Sequence, residues 1–324
     1  MAKNEIAHPH DLLTRSILVD PELAGSLLEN YIEPETVSLL DLKKLRCESP
    51  INVDKNLVET IGDLKFSTTL KNTSQQSNVF VFVEHQSSVD NLMCFRALEQ
   101  VVRAFRQYID TAEQEGGEPK SLPYPIVVIL YHGQKPWGTL KLMRDLIGAM
   151  SEVGGRILDF PIFLIDLSLI PPEQLKGHPA LLALLETLQL GSEGRLETGF
   201  DRVASRLSAV RNDPKVAGGM RALIRYTISL CRIGQQAIIN AFSKILDEKE
   251  AEKMAMSTMQ ELLNEGEVKG EKGAILRFLE GRFGKVPQTI CEAVNSYSDL
   301  TALQSLSVLA GSCKSLDEFK DGLR

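Results

Sequence analysis

The sequence predicts an α/β fold: a mixed sheet flanked by helices, followed by an all-helical C-terminal region. Three observations carry this. Two short β-rich runs are joined by a polar turn. A buried-strand pattern recurs after an intervening helix. Strand signals then stop near Pro172, while helical periodicity continues to the end. The 324 residues are enough for about two domains at roughly 150 residues each.

Residues 11 to 46 read as helical, with Leu12, Leu13, Ile17, Leu18, Leu23, Leu27 and Leu28 near 3.6-residue spacing. Asp20-Pro21-Glu22 is a helix start, with an N-cap acid, proline at the first helical position and an acid in the first turn. Asp63 to Leu70 reads as a strand, Lys71 to Asn78 as a polar turn, and Val79 to Val83 as a strand buried on both faces. Together they form a hairpin. A helix over about Asn91 to Ala112 presents Leu92, Phe95, Leu98, Val102 and Phe105 as its apolar face. Gly116-Gly117-Glu118-Pro119 breaks the chain before two more buried strands, Pro125 to Tyr131 and Phe160 to Leu167. Strand, helix and strand in this order imply a right-handed crossover and parallel pairing.

Beyond Pro172 the apolar residues Leu181 to Leu185, Leu207, Val210, Leu223-Ile224 and Ile238-Ile239 keep helical spacing. The chain divides into residues 1–170, a helical region 171–243 packed on them, a charged helical connector 244–273, and a small helical extension 274–324. The connector is expected to be exposed. Ile275, Leu276, Phe278, Leu279 and Phe283 line one side of the extension, and Gly284 and Pro287 end it.

Apolar residues make up 43% and charged residues 24%, so the chain has the composition of a folded globular protein. The formal net charge of −7 argues against a protein that grips nucleic acid by bulk positive charge. Five scattered cysteines without a CxxC spacing suit a reducing cytoplasm better than a disulfide framework or a structural zinc site. The N-terminus lacks an apolar signal region, and no run approaches the ~20 apolar residues of a membrane span. A soluble cytoplasmic protein is expected.

One constellation could carry chemistry. Asp63 opens the first strand of the hairpin, and Glu84 and Gln86 end the second. Residues two apart on a strand share a face, so Glu84 and Gln86 point together and His85 points away. If the opposing strand brings Asp63 beside Glu84, the two carboxylates repel unless a divalent cation lies between them. The alternative is a turn residue and a solvated strand terminus. His132 reads as a packed, hydrogen-bonded turn residue with Trp137 nearby at the sheet edge. No Ser-His-Asp order, P-loop or dinucleotide fingerprint occurs.

The run from Val79 through Glu84-His85-Gln86-Ser87-Ser88 to Asp90, followed by Met93 and Phe95-Arg96, resembles the signature of the Rpn family. These are recombination-promoting nucleases, also named "putative transposases", of the PD-(D/E)xK superfamily. His10-Asp11-Leu12-Leu13, Gly62-Asp63-Leu64, Leu130-Tyr131-His132-Gly133 with Trp137, and Ile165-Asp166-Leu167-Ser168 fall in matching order. The resemblance covers roughly residues 8 to 170, and the segment from about Met254 to Phe319 is similar to the helical extension found on such proteins.

The resemblance implies a restriction-endonuclease-like domain and Mg²⁺-dependent (or Mn²⁺-dependent) hydrolysis of DNA. Asp63 and Glu84 would hold the metal. Gln86 stands where most of the superfamily has a lysine, and a neutral amide can place water but not act as an acid. Lys65, two residues after Asp63, either supplies the missing charge or is an exposed strand lysine. Asp11 is either a third acid near the metal or the cap of the first helix, and Thr14-Arg15 departs from the family's Phe-Lys at that point. Arg96, Arg103 and Arg106 share a helix face and either touch DNA phosphates or form a solvated charged face. Residues 1–110 hold 11 basic and 16 acidic side chains, so any DNA groove must be local. Double-strand cutting by this superfamily normally takes two sites, which implies a homodimer. The competing function is a nuclease fold retained as an oligomerisation or protein-interaction module.

Overall fold

The computed structural model describes residues 9–48, 64–71, 78–148, 159–210, 213–230, 235–243 and 246–323. The chain forms two compact units, one of Ile6–Ala251 and one built on Glu252–Arg324.

The first unit is organised around a five-stranded mixed sheet of order β1-β2-β3-β4-β5. Its strands are β1 (Arg46–Glu48), β2 (Leu64–Thr69), β3 (Asn78–Gln86), β4 (Tyr124–Tyr131) and β5 (Ile162–Asp166). The hairpin expected from the sequence is present: β2 and β3 are antiparallel with Leu64 opposite Val83. β3, β4 and β5 are parallel, with Glu84 beside Ile129 and Gln86 beside Tyr131. β3 therefore lies at the centre, which is why its Val79 to Val83 run is apolar on both faces.

Helix α1 (Pro9–Leu18) and helix α2 (Pro21–Tyr31) follow the expected start signals, with Asp20 Oδ1 accepting from the Glu22 N–H at 2.8 Å. A short α3 (Pro34–Leu39) follows. The helical expectation for residues 11 to 46 is corrected at its end. Residues 42–44 form a 3₁₀ turn, and Arg46 enters the sheet as β1, paired with Ser67.

Helix α4 (Met93–Gln114) connects β3 to β4, and Asp90 Oδ1 accepts from the Leu92 N–H just before its first turn. Its buried face is Met93, Cys94, Ala97, Val101 and Ala104. Leu92, Phe95 and Val102 of the expected apolar face are exposed instead. The large rings come from the sheet, Phe80 and Phe82, and the small Ala97 and Ala104 let the helix approach them. A single turn α5 (Met143–Leu146) precedes β5.

On the opposite face, α1 packs against α6 (Pro179–Ser192) and α8 (Pro214–Leu230), with α7 (Leu196–Ser208) beside α6. Glu186 is fully buried in α6 and takes ion pairs from Arg202 and Arg206 of α7. α9 (Gln235–Phe242) closes the first unit's helices. The charged connector and the start of the extension are one helix, α10 (Glu248–Phe283), in which Ala251, Ala255 and Thr258 are buried. In the second unit α10, α11 (Gln288–Ser296), α12 (Leu300–Ser312) and α13 (Leu316–Asp321) enclose a core of Ile275, Leu279, Ile290, Val294, Leu303 and Phe319. Arg282 donates to the Ala310 and Cys313 carbonyls at 2.6 and 2.7 Å, satisfying the open end of α12. Among the described residues no helix is long and apolar enough to cross a membrane.

Candidate active site

The site is built on the last three residues of β3. Alternation along the strand puts Phe80, Phe82, Glu84 and Gln86 on the α4 side, and the valines and His85 on the other. Glu84 is 3% exposed. The Gln86 Nε2–H donates to Glu84 Oε2 at 3.4 Å, so the amide and the carboxylate form one unit. A buried carboxylate is tolerated only with hydrogen-bonding or charged company.

The opposite face of the same strand ends holds three histidines. His85 and His132 stack at 4.5 Å with their planes 17° apart, and His10 lies 4.6 Å from His132. The His85 Nδ1–H donates to Asp11 Oδ1 at 2.8 Å. The Ser192 hydroxyl donates to the His132 carbonyl, so its oxygen accepts the His132 Nδ1–H at 2.6 Å. That order of donors makes Ser192 an anchor rather than a nucleophile activated by a histidine. Tyr226 Oη lies 2.8 Å from His10 Nδ1, and Gly191 leaves the space for it, since a Cβ there would sit 2.2 Å from that oxygen. Burial above all, reinforced by the neighbouring His85, lowers His10 from an ordinary 6.5 to about 4. Burial, then His85 and His10, lowers His132 to about 2. The Nε2 atoms of His85 and His132 are buried and have no hydrogen-bond partner among the described residues.

Of the residues singled out by the sequence, Glu84 and Gln86 are brought together. Asp63 lies outside the described residues; it directly precedes Leu64, whose partner Val83 directly precedes Glu84. Lys65 is opposite Phe82 and so shares the Glu84 face, but its ammonium is bound to Glu48 Oε2 at 2.7 Å and lies over the Phe80 ring at 4.5 Å. Asp11 is in the first turn of α1, with its carboxylate on His85 behind the strand. Arg96, Arg103 and Arg106 line the exposed side of α4, where Arg96 pairs with Asp90 and Arg106 with Asp110, each at 3.0 Å. His132 does not share a face with Trp137, which packs on Tyr131 on the α4 side.

The histidine cluster is what sequence reading missed. Its signal was present as three motif fragments, but only the β3–β4 register places residues 85 and 132 side by side. Among the described residues no group of three or more His, Cys, Asp or Glu side chains could hold a metal ion. The stacked imidazoles agree with that, because their lone pairs do not converge. On the Glu84 face, the available donors are carboxylate and amide oxygens, the hard set that Mg²⁺ or Mn²⁺ takes.

A five-stranded mixed sheet flanked by helices, with the β3–α4–β4 crossover, is an α/β nuclease-like fold. The chain belongs to the family described as "Putative transposase, YhgA-like", whose model matches residues 8–216. It is similar to the recombination-promoting nuclease RpnA of Escherichia coli K12, at 26% identity over 221 residues, 67% of this chain and 72% of that protein. RpnD of Escherichia coli O157:H7 is 28% identical over 184 residues, 56% of this chain and 66% of its own. An inactive recombination-promoting nuclease-like protein, RpnE of Escherichia coli K12, is 23% identical over 210 residues, 64% of this chain and 67% of its own. No solved structure matches the chain.

Proposed function

We propose that this protein is a metal-dependent DNA endonuclease whose cleavage promotes recombination or transposition-like DNA processing. The observation that carries the reading is the buried Glu84 at the end of the central strand with the Gln86 amide bound to it. The names of two relatives support the coarser part of this reading, a nuclease that promotes recombination.

Asp63 and Glu84 would hold Mg²⁺ or Mn²⁺. The bound cation would supply charge stabilisation at the phosphate and make water a better nucleophile. Gln86 donates through Nε2 to Glu84, and its Oε1 would accept a hydrogen from a water molecule. It orients that water and does not take its proton. The Lys65 ammonium, on the same face, is engaged by Glu48 and the Phe80 ring, and the cation would supply the remaining charge compensation. DNA would approach along α4, where Arg103 is the exposed arginine nearest the middle of the helix. Two copies would serve the two strands of a duplex, and the protein would work in a reducing cytoplasm, which its five scattered cysteines without a CxxC spacing suit.

A second reading is supported by the relatives named as inactive. In it the nuclease fold is a protein-interaction or oligomerisation module, and the second unit, with its own core, makes the contacts. Nicking of supercoiled plasmid separates the two. The nuclease reading expects cutting with Mg²⁺ or Mn²⁺ that EDTA, Asp63→Ala and Glu84→Ala each abolish, together with salt-sensitive DNA retention. Folded protein that neither cuts nor retains DNA under either metal would overturn the nuclease reading and move the module reading ahead.

A further inference from the structure

The nuclease reading uses Glu84 and Gln86 and leaves His10-Asp11, His85 and His132 without a part, although each lies in a motif. These residues meet directly behind the two site residues. His85 is the residue between Glu84 and Gln86, and its side chain is 4% exposed. It is held in two ways: by donation to Asp11 of α1 at 2.8 Å and by stacking on His132. His132 is tied to α6 through Ser192, and its N–H donates to the Gln86 carbonyl at 3.0 Å. His10 extends the same chain of contacts to Tyr226 of α8.

On a strand, the backbone torsions of one residue set the relative directions of its two neighbours' side chains. Clamping the His85 ring therefore fixes how Glu84 and Gln86 point. Ligand side chains must be held within about 0.5 Å of their working geometry, by packing together with hydrogen bonds from a supporting layer of residues. Partners that hydrogen-bond a metal's own ligands change its affinity by about 10–100-fold when removed, and a pair acting through the strand backbone is expected at the lower end of that range.

We infer that Asp11 and His85 are a positioning pair, which sets from the back of the sheet how tightly the Glu84 face holds its divalent cation. Asp11 is not itself a ligand. The inference rests on the metal-nuclease reading, and the two can fail separately.

The test is binding of Mn²⁺ to the full chain, followed by the electron paramagnetic resonance signal of the free ion, with unfolding temperature as the check on folding. Glu84→Ala should remove the site. Asp11→Ala, which removes the acceptor of the His85 Nδ1–H, should weaken Mn²⁺ binding about tenfold. Asp11→Asn, which keeps an acceptor oxygen there, should return affinity to near wild type. In nicking, Asp11→Ala should need correspondingly more Mn²⁺ and reach the wild-type rate at saturation. Equal defects in Asp11→Asn and Asp11→Ala would overturn the inference, because a direct ligand or a required charge behaves that way. Unchanged affinity in Asp11→Ala would also overturn it. Should Asp11→Ala unfold, His85→Asn, whose side-chain N–H can replace Nδ1–H, is compared with His85→Leu; equal affinities would refute the pairing. Wild type without Glu84-dependent Mn²⁺ binding would overturn both readings. Wild type that binds but never cuts would sink the nuclease reading alone, and the affinities would still decide this one.

Discussion

Acid should destabilise the first unit through His132, by an amount that follows from its environment. His132 is 1% exposed, and burial with two neighbouring histidines lowers it to about 2. Its ordinary value in the unfolded chain is 6.5. Between those values the unfolded state carries a proton that the folded state does not, so stability rises with pH there and is lost as pH falls below 6.5. At pH 4.5 the unfolded side chain is stabilised by about two pH units of protonation, or about 3 kcal/mol for this one group. His10, lowered to about 4, adds in the same direction down to that pH. The assay is urea unfolding at pH 7 and pH 4.5 for wild type and His132→Asn. Asparagine keeps a donor toward Ser192 and does not titrate. Carboxylates contribute equally to both proteins, so the difference in their pH losses isolates His132. Wild type should lose about 3 kcal/mol more than the variant. Parallel pH losses would refute the assignment of His132 as a buried neutral imidazole.

Other expectations concern the packing around the site. Gly191→Ala places a methyl against the hydroxyl of the buried Tyr226 and should cost about 1–3 kcal/mol in chemical denaturation. Glu186→Ala leaves Arg206, whose side chain is 21% exposed, without its carboxylate; a loss of about 3 kcal/mol is expected, with Arg202 contributing little because it is half exposed. In the second unit, Arg282→Lys cannot serve the Ala310 and Cys313 carbonyls together, and should lower stability by about 1–2 kcal/mol. Hydrogen exchange should localise that loss to the end of α12.

The hairpin, the crossover and the burial of β3 on both faces were legible because each rests on a local pattern. The Val79 to Val83 run has the composition of a strand with both faces covered, and Asp20-Pro21-Glu22 states a helix start outright. The α4 face was misjudged because hydrophobicity ranks Phe95 above Ala97, whereas the bulky rings of the sheet select the smaller side chain. β1 was missed because three residues carry too little periodicity to separate from the preceding turn. At the site, alternation alone was enough to put Glu84 and Gln86 on one face. What lies behind them was not readable, since it depends on the β3–β4 register and on α1 and α8, far apart in sequence, meeting at His10.

The central claim is that the Glu84 carboxylate carries metal-dependent cleavage. Its most direct test is the single-turnover rate of plasmid nicking in saturating Mn²⁺ for wild type and Glu84→Gln. The substitution preserves size and removes only the charge. The account expects a drop of about 10²-fold or more, the scale on which charged groups at reacting centres act, with an unchanged unfolding temperature. Equal rates in the two proteins would contradict it.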